Sequence, residues 1–260
     1  MKFPESQRVT YSRNPLLEVI CQLRFPKILR IETEVPVDFQ EEIRAEYPTL
    51  NTSRAIELPF LSNPQTNSPP IVMGQGLTYE FLDKEGKWKL VLSSDFIALS
   101  TMDYEKWEDF RSRLDSAINL LVKCYSPSHF TRVGLRYQDL IIRSELELTQ
   151  HSWRSLLQPP VLGVFVADNL PEYDFTEALS VFACRLDYAD AVLRVRYGLA
   201  RKDESDELGY LIDADFYTEN NTEINDVTHF LDQFNREAGN FFRWCITEEL
   251  QQALQPKPLA

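Results

Sequence analysis

Arginine recurs at alternate positions in several otherwise apolar segments, a spacing that gathers guanidinium groups on one surface. In TRVGLRYQD, Arg132 and Arg136 fall on one side of an extended chain with Gly134 between them, while Val133, Leu135 and Tyr137 fall on the other. VLRVRYG repeats the arrangement, with Arg194 and Arg196 opposed to Val195 and Tyr197. Arg185 and Asp187 alternate in FACRLDY, and Arg24 stands in the same relation in CQLRF. A guanidinium fork donates two parallel hydrogen bonds to a carboxylate or a phosphate. Such arginines either pair across strands, Arg194 or Arg196 with Asp187 or Glu145 for example, or form a shallow surface that binds an anion or a partner.

Carboxylates offer a different chemistry. Asp213 and Asp215 share a strand face at i and i+2, Asp187 and Asp190 bracket a turn, and Asp139 ends a strand. Two or three converging carboxylates suffice for a metal-dependent hydrolase or nuclease, with Asp187, Asp213 and Asp215 as its candidate residues. In a chain with 40 acidic residues, the same spacings also arise as solvated strand faces and turn caps.

No local motif names a reaction. GxGxxG, GxxxxGK[ST] and GxSxG do not occur, and His129, His151 and His229 stand in neither HxH nor HExxH spacing. Cys21, Cys124, Cys184 and Cys245 are too far apart for a zinc knuckle or a redox CxxC pair, which predicts reduced, mostly buried thiols. These residues predict no catalytic group, no metal site and no cofactor.

The elements that must position the arginines are legible from periodicity. Strands are predicted at 16–25, at 78–83 and 87–94 around the turn Lys84-Glu85-Gly86-Lys87, at 96–102 and at 130–142. Further strands are predicted at 161–166, 179–188, 191–199 and 209–218. VDFQEEIRAEYP, with Phe39, Ile43 and Tyr47 four apart, predicts a short helix, and another is expected near 150–157. Residues 104–124 and 227–254 predict two long amphipathic helices; the second carries Phe230, Phe234, Ala238, Phe241 and Cys245 on one stripe. Phe242 and Trp244 fall off that stripe and are candidates for a subunit or partner interface. Residues 51–76 and the acidic stretch 200–207 read as loops, and Pro256 and Pro258 as a loose tail.

Hairpins dominate and βαβ alternation does not, which predicts an α+β fold with a mainly antiparallel sheet and two long helices. The halves echo each other: KLVLSSDFIAL at 89–99 aligns without a gap with GYLIDADFYTE at 209–219, matching Asp95-Phe96 to Asp215-Phe216. Two copies of a β-sheet-plus-helix unit are therefore expected, over 1–145 and 146–260, joined in one compact body.

Composition bounds the rest. Of 260 residues 43% are hydrophobic, enough for a sizeable core, and the formal net charge is −13. That field repels nucleic acid and anionic membrane at long range, so direct nucleic-acid binding is not expected. No apolar run approaches the length of a membrane span, and the first residues lack a signal-peptide pattern, which predicts a cytoplasmic protein.

RVTYSRNPLLEVICQLRFP at 8–26, PVDFQEEIRAEYP at 36–48, RVGLRYQDLI at 132–141 and the ending F-x-x-x-I-T-E-E-L together resemble a sporadically distributed bacterial family of about this length. The resemblance spans nearly the whole chain and carries no activity, cofactor or site residue with it. Scattered distribution implies accessory genes of the toxin–antitoxin or phage-defence kind. The expected function is a non-enzymatic protein-interaction component, antitoxin-like, chaperone-like or part of a defence complex. Its partner would be another protein, such as a neighbouring gene product, or a second copy of the chain. Arg132, Arg136, Arg185, Arg194, Arg196, Phe242 and Trp244 are the candidate binding residues. A metal-dependent hydrolase and an anion or nucleotide sensor are the alternatives.

Overall fold

Alternation with period two runs through every long strand, so each can bury one face while leaving the other to polar groups. The computed structural model describes residues 1–53, 77–167, 170–188, 190–201 and 207–258. In chain order the elements are β1 (Val9–Tyr11), β2 (Leu16–Arg24), α1 (Leu29–Thr33), α2 (Val37–Ile43), β3 (Thr49–Ser53), β4 (Thr78–Leu82), β5 (Trp88–Leu92) and β6 (Phe96–Thr101). There follow α3 (Trp107–Tyr125), β7 (Arg132–Ile141), α4 (Trp153–Leu156), β8 (Leu179–Arg185), β9 (Val192–Arg201), β10 (Leu208–Thr218), α5 (Val227–Cys245), α6 (Glu248–Ala253) and β11 (Pro256–Pro258). Nine of the strands form one sheet in the order β3, β4, β5, β6, β2, β7, β10, β9, β8. Every neighbouring pair is antiparallel. The fold is α+β.

One face of the sheet is apolar and lies under the helices. Val19, Cys21 and Leu23 of β2 are in register with Tyr137, Leu135 and Val133 of β7, and all six are buried. Phe216 of β10 meets the rings of Phe234 and Phe241 on α5. Trp88 of β5 meets Phe110 on α3, and Phe81 of β4 meets Phe39 on α2. On α5 the buried residues Val227, Leu231, Phe234, Ala238, Phe241 and Cys245 step by four and three, the spacing of one helical stripe. Each of these large side chains contributes about 1.5–3 kcal/mol of transfer free energy. The main hydrophobic core joins residues from both halves of the chain, and Val91 and Phe96 form a small separate cluster.

The strand order is palindromic about the seam between β2 and β7. Going outward on one side the strands are β2, β6, β5, β4, and on the other β7, β10, β9, β8, with β3 added at the first edge. In each half the central strand comes first, the outer three are filled from the edge inward, and a 19-residue helix follows. The residue echo does not map as the sequence aligned it. Asp95-Phe96 opens β6, whereas Asp215-Phe216 lies near the end of β10.

Several elements differ from expectation. Residues 161–166 form 3₁₀ turns rather than a strand: Pro159 and Pro160 remove backbone donors, and Gly163 turns at a φ of 56°. The last helix is two. Ile246 is extended and bridges Leu157, and the Thr247 side chain accepts a bond from Leu250 N–H to start α6. The C-terminal prolines are not a loose tail, because β11 pairs with β1 in a separate two-stranded sheet. An unexpected short helix, α1, precedes α2, and 49–53 form β3 at the sheet edge. The rest of the loop expected at 51–76, from 54 onward, and 202–206 of the acidic stretch lie outside the described residues. No helix among the described residues is long and apolar enough to cross a membrane.

Gly198 has the one backbone conformation in β9 that a side chain would not tolerate. Its φ is 144°, and a Cβ there would stand 1.9 Å from the Ala178 carbonyl oxygen, which accepts a bond from Leu199 N–H. Backbone rather than a movable side chain is in the way. Gly198→Ala is expected to destabilise the protein by about 2 kcal/mol or more, read from the urea midpoint.

Candidate functional site

The sheet face turned away from the helices holds the arginines. Glu18, Ile20, Gln22 and Arg24 of β2 lie in register with Gln138, Arg136, Gly134 and Arg132 of β7. Next come Asp213, Asp215 and Tyr217 of β10, then Arg196, Arg194 and Val192 of β9, then Val181, Ala183 and Arg185 of β8. On these five strands the face carries six arginines (24, 132, 136, 185, 194 and 196) against Glu18, Asp213 and Asp215. The predicted parity of Arg132 with Arg136, of Arg194 with Arg196 and of Asp213 with Asp215 is what the register shows.

Three of the predicted arginines are held by carboxylates. Arg136 donates from Nε to Asp213 Oδ1 at 2.5 Å and from Nη2 to Asp213 Oδ2 at 2.6 Å, and Arg196 pairs with the same Oδ2 at 3.1 Å. The Asp213 side chain is 4% exposed, so both partners are needed to hold its charge in a nearly dry place. Burial works against the charge on Arg136, yet Asp213 raises its pKa; on Arg196 burial prevails and lowers it. Arg132 folds back over Gly134, where a Cβ would stand 2.2 Å from its Nη1. There it bonds Asp215 at 2.8 Å and Gln22 at 3.3 Å and covers the Tyr217 ring at 4.7 Å. The cross-strand pairing is thus real but uses Asp213 and Asp215, not Asp187 or Glu145. Asp187 instead lies against the Met1 amino group.

Arg185 and Arg194 differ from these. Both are exposed, and among the described residues neither side chain has an ion-pair or hydrogen-bond partner. Arg24 is half-buried, and its Nε has no hydrogen-bond partner. The seven candidate binding residues therefore do not form one site. Phe242 packs edge-on against Tyr11 at 5.8 Å, and Trp244 meets Phe3 at 5.3 Å and Phe241 at 6.1 Å. Both lie on the helix side, half-covered by the chain's own N-terminal segment. Nor do Asp187, Asp213 and Asp215 converge; among the described residues no three His, Cys, Asp or Glu are placed to hold a metal. All four cysteines are free, with Cys21 and Cys245 buried and Cys124 and Cys184 half-buried.

On the helix side, the N-terminal segment, β1 and α5 line an open cavity of about 1090 Å³ together with Tyr137 and Asp139 of β7. Asp139 is 8% exposed and, among the described residues, makes no hydrogen bond or ion pair. Burial, with a smaller push from Asp213, raises its pKa to about 8. Beside it, Tyr137 donates to Asn235 at 2.9 Å, and Asn240 accepts from Ser6. Sequence reading placed Asp139 at a strand end. The missed signal is parity: Asp139 shares its side of β7 with Val133, Leu135 and Tyr137, so it is a carboxyl group at a core position.

Compared with protein-family models, curated proteins and solved structures, the chain matches none of them.

Arg136→Ala should cost about 3–5 kcal/mol in urea unfolding, because it leaves the buried Asp213 short of its main partner. Arg194→Ala should stay within about 0.5 kcal/mol of the parent. Asp139 ionises near 3.8 when unfolded and near 8 when folded, so between those values the unfolded chain has released a proton that the folded protein keeps. Wild-type stability is therefore expected to fall relative to Asp139→Asn across that window, on the order of 1.4 kcal/mol per pH unit. The difference should level off above pH 8, as read from paired melts.

Proposed function

We propose that this chain is a non-enzymatic interaction protein of the cytoplasm, and that it docks an acidic, extended segment of another protein along β8. One observation supports this most directly. Exposed apolar and unpaired cationic side chains sit together on a strand whose outer edge pairs with no other strand among the described residues. Leu179 and Val181 are 38% and 53% exposed on β8, Arg185 follows on the same face, and Arg194 stands one strand inward opposite Ala183.

An edge strand presents backbone donors and acceptors to any chain laid beside it. Apolar contact flanked by arginine is the composition that concentrates binding energy in protein interfaces. The two free guanidinium groups select a carboxylate-bearing strand, and the chain's overall net charge of −13 turns other acidic surfaces away. Arg132, Arg136 and Arg196 serve this surface by stiffening it rather than by touching the partner. An antitoxin-like, chaperone-like or defence-complex component would work in this way, with the product of a neighbouring gene as its first candidate partner.

Tagged protein purified from its own cells should carry one specific partner, reconstituted afterwards from two purified chains. A Val181→Glu/Arg194→Glu double variant should weaken that complex by at least about tenfold, since each lost hot-spot contact is worth more than 1 kcal/mol. Its melting temperature should not change. Failure to find a partner, or a complex indifferent to the double variant, sinks the proposal. So does a homodimer dispersed by the variant, because it assigns β8 to self-association.

A further inference from the structure

We infer that the cavity beneath the N-terminal segment binds a small organic amine, its ammonium group meeting the Asp139 carboxyl and its body lying against Tyr11, Tyr137 and Phe242. This site is separate from the β8 surface and does not rest on it.

The cavity is of the size that holds small ligands, and its walls set the rings of Tyr11, Tyr104, Trp107, Tyr137 and Phe242 among many polar and charged groups. Its floor carries an acid that no described residue satisfies. Asp139 is more than nine-tenths buried, yet among the described residues it has no hydrogen-bond donor and no cation beside it. A buried carboxyl without a partner is costly, and protein interiors seldom keep one without use. The missing partner is a donor, and a cationic donor gains most in a poorly hydrated place.

The surrounding groups agree. Tyr11 of β1, Tyr137 of β7 and Phe242 of α5 line the same cavity as Asp139, and Tyr11 packs on Phe242. Aromatic faces attract ammonium groups. The other ionisable groups near the acid are Cys245 on α5, whose thiol burial holds protonated, and Asp213 on the opposite side of the sheet. Arg243, which faces Tyr11, is engaged by the Ile246 carbonyl at 3.1 Å and by Glu248. Arg8 is held by Glu108 at 2.7 Å and Lys106 by Asp109 at 3.5 Å. Arg236 and Lys257 line the cavity from exposed positions. None of these cations supplies Asp139 with a counter-ion.

Binding has a proton signature. At pH 7 the empty site holds the Asp139 proton, as its pKa of about 8 requires. An incoming ammonium ion ionises the acid and expels that proton to solvent, so amine affinity rises with pH until Asp139 is ionised in the free protein. The titrations use phenethylamine, 1,4-diaminobutane and uncharged 2-phenylethanol with the full chain, in two buffers of different ionisation heat.

At least one amine is expected to bind at least about tenfold tighter than the alcohol, and to tighten by up to about tenfold per pH unit between pH 6 and 8. Buffer-dependent heat should show proton release at pH 7 that vanishes at pH 9. Asp139→Asn should abolish the preference for the amine while melting no lower than wild type at pH 8. Arg194→Glu should leave amine binding unchanged, which separates this site from the β8 surface. Equal binding of amine and alcohol, full amine binding by Asp139→Asn, or no amine bound at millimolar concentration overturns the inference.

Discussion

A sheet with two faces and, among the described residues, helices on only one imposes the constraint from which the rest follows. Side chains alternate along each strand, so the residues that fill the core oblige an equal number to point the other way. Near the middle of the sheet, those outward residues are crowded by neighbouring strands and lose most of their water. Gln138 is 1% exposed, Asp213 and Gln22 each 4%, and Glu18 7%, on the face turned away from the described helices. Polar groups in that position must satisfy one another. Asp213 does so by receiving Arg136 from one neighbouring strand and Arg196 from the other, which ties β7, β10 and β9 into one register. A slip of one residue would turn those arginines into the core and the leucines out, so the charge lattice and the apolar stripe specify the same alignment.

The lattice also explains why arginines that look alike in the sequence differ in the molecule. Alternation shows which face a residue takes, and the parity of Arg132, Arg136, Arg194 and Arg196 could be read directly. Register shows whom it meets, and no single strand contains that information. Asp213 was legible as a strand carboxylate, but its position between two arginines depends on β7 and β9 both flanking β10, a pairing of segments some 75 residues apart in one case. Gly134 was visible as a gap in the arginine pattern. Its use, as the bed on which the Arg132 guanidinium lies, requires knowing that Tyr217 and Gln22 stand on either side. Phe242 and Trp244 stand as candidates for a subunit or partner interface when their helix is read alone; the segment that half-covers them comes from the other end of the chain.

Capping chemistry was underused in the same way. Thr-Glu-Glu-Leu at 247–250 is a helix start, and periodicity overran it because Leu250 and Leu254 continue an apolar pattern. The Ile246 backbone had a second use, bridging Leu157, that only the folded chain displays. The residue alignment offered for two units joined the start of one strand to the end of another. The mirrored strand order belongs to the pairing of the folded sheet, which the two segments do not contain.

Asp139 and Asp213 stand on adjacent strands and opposite faces, and their contrast shows what a carboxylate requires of this sheet. Asp213, 4% exposed, meets two guanidinium groups. Asp139, at 8%, meets none among the described residues, and burial raises its pKa to about 8. Burial is nearly equal, so what separates the two acids is the presence of a cation. A chain that places two arginines around one buried acid and none around its neighbour has the means to neutralise both. On this surface the neutralised acid has become structure. The other opens on a cavity, where a cation from outside would complete the arrangement that Arg136 and Arg196 complete from within.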